Sequence, residues 1–228
     1  MTVPNLLLAA LSRADYAKLA PKLSPVSLVF GETLYEPEDR IRYVYFPDDA
    51  LVSLLMLVDR HLALEVGMVG PEGMVGVAYA LGVNASPLRA LVQGAGSAMR
   101  MSALAFRREL RTNASLQREV DLYTHKLLAQ VAQTAACNRF HGVEARLARW
   151  LLMTRDRVNA DRFRLTHEFL GHMLGVRRVG VTNAANALRH RNLIEYSRGQ
   201  IEVINRKGLI EAACSCYRSL KANTKKSG

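Results

Sequence analysis

The chain has 228 residues, enough for one large domain or two of ordinary size at about 100–200 residues each. Half the residues are apolar and 22% are charged, which fits a globular chain and excludes a disordered one, and no apolar run reaches the ~18–20 residues of a membrane helix. The net charge of +11 points to a polyanionic partner, while three cysteines are too few for a disulfide framework, so a reducing cytoplasm is expected.

The start, MTVPNLLLAALSRADY, lacks a basic segment before its short apolar stretch and does not read as a secretory signal. Residues 5–23 predict a short amphipathic helix, with Leu8, Leu11, Tyr16 and Leu19 near helical spacing. From residue 24 to 101 the texture changes. Short β-rich runs at 26–30, 42–46, 51–58, 62–66, 88–93 and 97–101 alternate with Gly, Pro, Asn and Asp clusters, as in an antiparallel sandwich or barrel. The glycines of GMVGPEGMVG mark turns and do not form a dinucleotide fingerprint.

Helix takes over from Ser102. Leu116, Val120, Tyr123, Leu127, Val131 and Thr134 form an apolar stripe on a long helix expected over residues 115–138. Such a stripe either packs on its own domain or pairs with its twin in a homodimer, the arrangement that 3.5-residue spacing favours. A second helix is expected over 143–157, with Leu147, Trp150, Leu151 and Thr154 on one side. Arg146, Arg149, Arg155 and Arg157 fall mostly on another, and Trp150 reads as core.

The charge is unevenly placed. Residues 1–137 hold 13 basic and 13 acidic side chains, leaving 18 of the 31 basic and 7 of the 20 acidic residues to 138–228. An excess confined to one segment suggests nucleic acid more than a membrane surface, since no long helix is basic on one face and bulky-apolar on the other.

Within that segment, residues 165–204 read LTHEFLGHMLGVRRVGVTNAANALRHRNLIEYSRGQIEVI. Thr166 suits the N-cap of a short helix with Glu168 in its first turn, and Gly175 breaks that helix. A second helix starting near Arg177 buries Val181, Ala184, Ala185 and Leu188. Two short helices about a glycine turn make a helix-turn-helix, whose second helix is shaped for a major groove. The first turn offers Arg177, Arg178 and Val179, with Thr182 and Asn183 one turn on. Arg pairs in bidentate fashion with guanine and Asn with adenine, while Thr reaches a base edge or a thymine methyl. Residues 194–204 read as a hairpin wing turning at Arg198-Gly199, placing Arg198 near a phosphate.

These features resemble the Crp-Fnr family of bacterial transcription factors, with a cyclic-nucleotide-binding-like β-roll, a dimerisation helix and a winged helix-turn-helix. The residues that carry the resemblance are Thr166, Leu170-Gly171, Met173-Leu174-Gly175-Val176, Arg178, Val181, Leu188, Leu193-Ile194 and Gly199. The resemblance implies an α+β chain with an antiparallel, jelly-roll-like β-roll sensor domain over 1–114. A dimerisation helix over 115–138 and a DNA-binding domain over 139–228 complete it. Its implied partners are double-stranded DNA, a second copy of the chain, and RNA polymerase. Arg178 and Asn183 are expected to specify bases; Thr166, His167, Arg177 and Arg198 position the phosphate backbone. Val179 stands where the family frequently has Glu, which implies a different half-site.

The family's Gly-Glu and Arg-Ser pairs for a cyclic nucleotide fall here on Gly76-Val77 and, loosely, Leu88-Arg89. A cyclic phosphate would lack matched partners, so the effector is changed or lost and the cofactor-binding residues are unknown. Cys137, Cys214 and Cys216 are one short of an iron–sulfur quartet, and a haem would have little beyond His61. The histidines of His167-Glu168-Phe169-Leu170-Gly171-His172 are five apart rather than four, so the zinc-protease pattern fails. Cys214 and Cys216, with no nearby second pair, read as small residues of a C-terminal helix. No catalytic residue, metal site or cofactor is expected. The rival readings are a nonspecific architectural DNA binder and a small-molecule enzyme in the β-rich half.

Overall fold

The computed structural model describes residues 3–59, 62–197 and 199–225, so His61 and Arg198 lie outside the described residues. The chain divides into two compact units, one formed by Met1–Met56 and Gly67–Leu128, the other by Leu57–Val66 and Ala129–Gly228.

The first unit opens with two short helices where the sequence predicts one. Helix α1 (Leu6–Ala9) stops before Ser12, whose hydroxyl caps α2 (Arg13–Leu19) by accepting from the Asp15 amide at 3.1 Å. A side-chain oxygen that satisfies an orphan amide restarts the helix on a new axis. Buried Asn5 donates to the carbonyls of Pro47 and Gly73 while capping α1, which ties the N-terminus to a strand end and a loop.

Seven strands follow: β1 (Ser24–Leu28), β2 (Thr33–Tyr35), β3 (Tyr43–Pro47), β4 (Leu51–Asp59), β5 (Leu62–Val69), β6 (Leu88–Gly94) and β7 (Gly96–Ser102). They form two sheets, ordered β1-β7-β3 and β2-β6-β4-β5, with the paired registers antiparallel. This is the expected antiparallel β-roll, with one strand more than the sequence predicts. The extra strand, β2, has only three residues and a register shift against β6, too short for an alternating pattern to stand out. Leu28, Val44, Phe46, Leu51, Leu55, Val92 and Met101 are fully buried and supply the core of this unit.

Helix α3 (Ala103–Thr112) packs Phe106 edge-on against Phe46, with ring centroids 6.1 Å apart. Helix α4 (Ala114–Phe140) is 27 residues long. Its buried positions are Leu116, Val120, Tyr123, Leu127, Gln130, Thr134 and Cys137, a spacing alternately of four and three. The expected stripe is therefore taken up by packing within the chain, with Gln130 in place of Val131. At Gly73 a Cβ would stand 2.0 Å from the Tyr123 ring, so the ring occupies the space a side chain would need.

The second unit is built around α5 (Val143–Val158), in which every residue from Arg146 to Thr154 is buried. Helices apolar or buried all round are core helices. The side of α5 that carries Arg146 and Arg149 is also covered: they are only 8% and 6% exposed. Trp150 is buried as expected, and its indole N–H donates to Glu65 at 2.9 Å. After α5 come β8 (Arg162–Arg164), α6 (His167–Leu174), α7 (Arg178–His190), β9 (Ile194–Ser197), β10 (Gln200–Val203), α8 (Arg206–Ala212) and α9 (Cys216–Lys225). The small sheet has the order β8-β10-β9, all antiparallel. No helix among the described residues is long and apolar enough to cross a membrane.

Candidate nucleic-acid interface

Two helix ends and one turn set the geometry of the site. The Thr166 hydroxyl accepts from the Phe169 amide at 3.1 Å and so caps α6, the role its residue type predicts. At the other end Gly175 adopts φ +61°, a left-handed conformation that closes the helix without strain. The Val176 amide then donates back to the Gly171 carbonyl at 2.9 Å, and Arg146 donates to the carbonyl of Leu174. Orphan carbonyls at the end of α6 are thereby satisfied, one by a buried cation that also complements the helix dipole.

Helix α7 packs against α5 and α6 and buries Val181, Ala184, Ala185 and Leu188. That face turns Val179 and Asn183 outward, while Arg177 and Arg178 stand at the start of the helix. Arg177, Arg178, Val179 and Asn183 are exposed, and Val179 is 63% exposed on a helix whose other bulky apolar residues are covered. Arg177 occupies the N-cap position without a capping side-chain bond, so first-turn amides of α7 have no side-chain acceptor. Amides in that position suit an anion.

Two expected contact residues are engaged inside the unit. The Thr182 hydroxyl donates to the Arg178 carbonyl at 3.1 Å and lies 2.9 Å from Nδ1 of His167. With its one hydrogen spent, the hydroxyl oxygen accepts from Nδ1–H, which assigns the histidine tautomer. The imidazole stacks on Tyr196 of β9, with centroids 4.2 Å apart, and its Nε2 is buried without a partner among the described residues. His167 thus joins α6, α7 and the wing. Burial first, and then the Arg178 guanidinium, pushes its pKa below the ordinary histidine value.

In the wing Ser197 faces Gln200 across the hairpin, and Gly199 has φ +75°. Arg198 itself is outside the described residues. Arg164 is exposed on β8, a strand the sequence reading missed; at three residues it has almost no periodicity to detect. In the first unit, Arg89 is held by Glu36 at 2.7 Å, so the nearest equivalent of a phosphate-binding arginine already has a partner.

Comparisons with known proteins agree with this geometry. Residues 145–212 match the Crp-like helix-turn-helix domain. Among solved structures, FixK2 from Bradyrhizobium japonicum superposes with a TM-score of 0.71 at 17% identity, covering 84% of this chain and 98% of its own. The c-di-GMP responsive global regulator CLP of Xanthomonas campestris gives 0.69 at 14% identity, covering 84% and 99%. A CRP/FNR family transcriptional regulator from Thermus thermophilus gives 0.69 at 21% identity, covering 83% and 98%. No curated protein matches the sequence.

The histidine joint has a measurable signature. The folded chain favours neutral His167, whereas the unfolded chain binds the proton more readily, so its contribution is present above about pH 6.5 and lost as the pH falls below it. Thermal unfolding between pH 7 and pH 5 should show a smaller loss of stability for His167→Gln than for the unmodified chain; equal losses would remove His167 as a source. Residues 145–212 thus match the Crp-like helix-turn-helix domain, and the chain shares its fold with solved structures of Crp/Fnr family transcriptional regulators.

Proposed function

We propose that the chain is a sequence-specific transcriptional regulator that binds an inverted-repeat operator as a homodimer in the cytoplasm. The observation that carries this reading is the outer face of α7, where Arg178, Val179 and Asn183 stand exposed beside an uncapped helix start. Arg178 would pair with a guanine edge, Asn183 with adenine, and Val179 would meet a thymine methyl. The Thr182 hydroxyl is spent on Arg178 and His167, so Thr182 acts chiefly by holding that turn. Thr166 and Arg177 sit at the two helix starts, where they would orient the duplex through its phosphates.

The homodimer rests on α4. With one face used inside the chain, Leu128, Ala132 and Ala135 step by four and three along another, and all three are exposed, Leu128 by 67%. Small residues around one leucine allow two helices to approach closely. Paired in this way, two copies would present their α7 helices about one DNA turn, ~34 Å, apart. An effector at the β-roll would need contacts other than an arginine on a cyclic phosphate, since Glu36 holds Arg89.

Replacing Arg178 with Ala should weaken specific binding by roughly 5- to 150-fold, or ~1–3 kcal/mol, and relax preference at one base position. Arg177→Ala should weaken all sequences alike and flatten the salt dependence by about one unit of slope. Quantitative binding over a series of single-base operator variants measures both, and unchanged base preference in Arg178→Ala would refute the assignment. Leu128→Asp should shift the sedimentation of the chain from dimer to monomer; an unshifted dimer would place the interface elsewhere.

A further inference from the structure

Outside the helix-turn-helix, four side chains with metal-binding atoms converge within the second unit. Cys137 lies near the end of α4 and His141 follows one helical turn later, its amide donating to the Cys137 carbonyl at 3.1 Å. Spacing of four puts both side chains on one face. Cys214 and Cys216 flank Ser215 between α8 and α9. That segment is anchored on α5 through Asp156, which accepts from the Tyr217 hydroxyl at 2.6 Å and from Arg206 at 3.1 Å.

The Sγ atoms of Cys137 and Cys214 are 3.4 Å apart, and Cys216 Sγ is 3.6 Å from Nδ1 of His141. All four ligand atoms lie within 4.8 Å of one another, and the three cysteines are free thiols. A tetrahedral zinc ion with bonds of about 2.3 Å to sulfur and 2.0–2.1 Å to nitrogen has ligand-to-ligand edges of roughly 3.5–3.8 Å. The spacing therefore suits a single ion surrounded by its ligands.

A second observation concerns charge. Arg149 and Arg146 are each more than nine-tenths buried beside the cluster, and no carboxylate pairs with either among the described residues. Arg149 donates to Thr134 at 2.8 Å, while the Nε atoms of both arginines have no partner among the described residues. Buried cations need a facing anion. Three thiolates around one dication carry a net charge of −1, which supplies it. Gln133 adds an N–H donor to Cys216 Sγ at 3.0 Å, the kind of outer contact that orients a ligating sulfur.

We propose that Cys137, His141, Cys214 and Cys216 form a Cys3His site for one tetrahedral divalent cation of the zinc class. Four protein ligands leave no open position, so the site is structural. It fastens the end of α4 to the start of α9, and on binding the cysteines release their thiol protons to solvent. The sequence reading found no partner for Cys214 and Cys216 because the second pair, Cys137 and His141, lies far away in the chain and is half histidine.

The test uses the full-length protein, purified under reducing conditions and stripped with a chelator. Titrated with Co2+, it should bind one equivalent per chain with the visible bands of tetrahedral cobalt and a thiolate-to-cobalt charge-transfer band. One equivalent of Zn2+ should then displace the cobalt and raise the melting temperature above that of the stripped protein. Cys214→Ser and His141→Ala should each abolish the one-equivalent endpoint, with circular dichroism showing that the variants remain helical. The unmodified chain decides the matter even if a variant fails to fold. Absence of cobalt binding, an octahedral spectrum, an iron–sulfur chromophore in the purified protein, or a Cys137–Cys214 disulfide persisting under reducing purification would each overturn the site.

Discussion

The burial of one face of α7 is the constraint on which the interface depends. Val181, Ala184, Ala185 and Leu188 are covered by α5 and α6, and a fully buried Val or Leu contributes about 1.5–3 kcal/mol relative to exposure. With 3.6 residues per turn, that choice turns Val179 and Asn183 away from the packed face, while Arg178, seven residues before buried Ala185, is exposed because it stands in the first turn of the helix. Gly175 sets where α7 begins, and the contacts of His167 with Thr182 and Tyr196 lock its first half to α6 and the wing. A contact surface held by packing on this scale loses little order when it docks, which is what recognition of base edges requires.

Electrostatics narrows the same surface further. Many of the basic residues in the second half of the chain are already used. Arg155 pairs with Asp161, Arg162 with Glu202, Arg191 with Glu144 and Arg206 with Asp156, while Arg146 and Arg149 lie inside. The exposed arginines of the helix-turn-helix and its strands that stand outside such pairs, among the described residues, are Arg164, Arg177, Arg178 and Arg189. Net charge alone counts all of these arginines equally. Folding sorts them into internal supports, neutralised surface pairs and a smaller group able to meet a polyanion.

How much of this was legible in the sequence differed by element, for physical reasons. The helix pair was readable because both its glycine turn and the spacing of Val181, Ala184, Ala185 and Leu188 are local signals. The strands were readable as runs but not β2, whose three residues carry no periodicity. The burial of Arg146 and Arg149 was not legible, because charged residues are exposed by default and only the fold shows that α5 is surrounded from Arg146 to Thr154. The engagement of the Thr182 hydroxyl was invisible, since it depends on His167, fifteen residues earlier, arriving at 2.9 Å. The cysteine–histidine cluster was missed for the same reason on a larger scale: its two halves are brought together only when the C-terminal segment folds back onto α5.

The central claim, that a paired α7 face reads a two-fold symmetric sequence, is tested most directly by selection from a random pool of duplexes at physiological salt, with no effector added. The account predicts enrichment of an inverted repeat whose half-site centres are ~10–10.5 bp apart. Salt-sensitive binding with no enriched sequence would contradict it and leave an architectural DNA binder in its place.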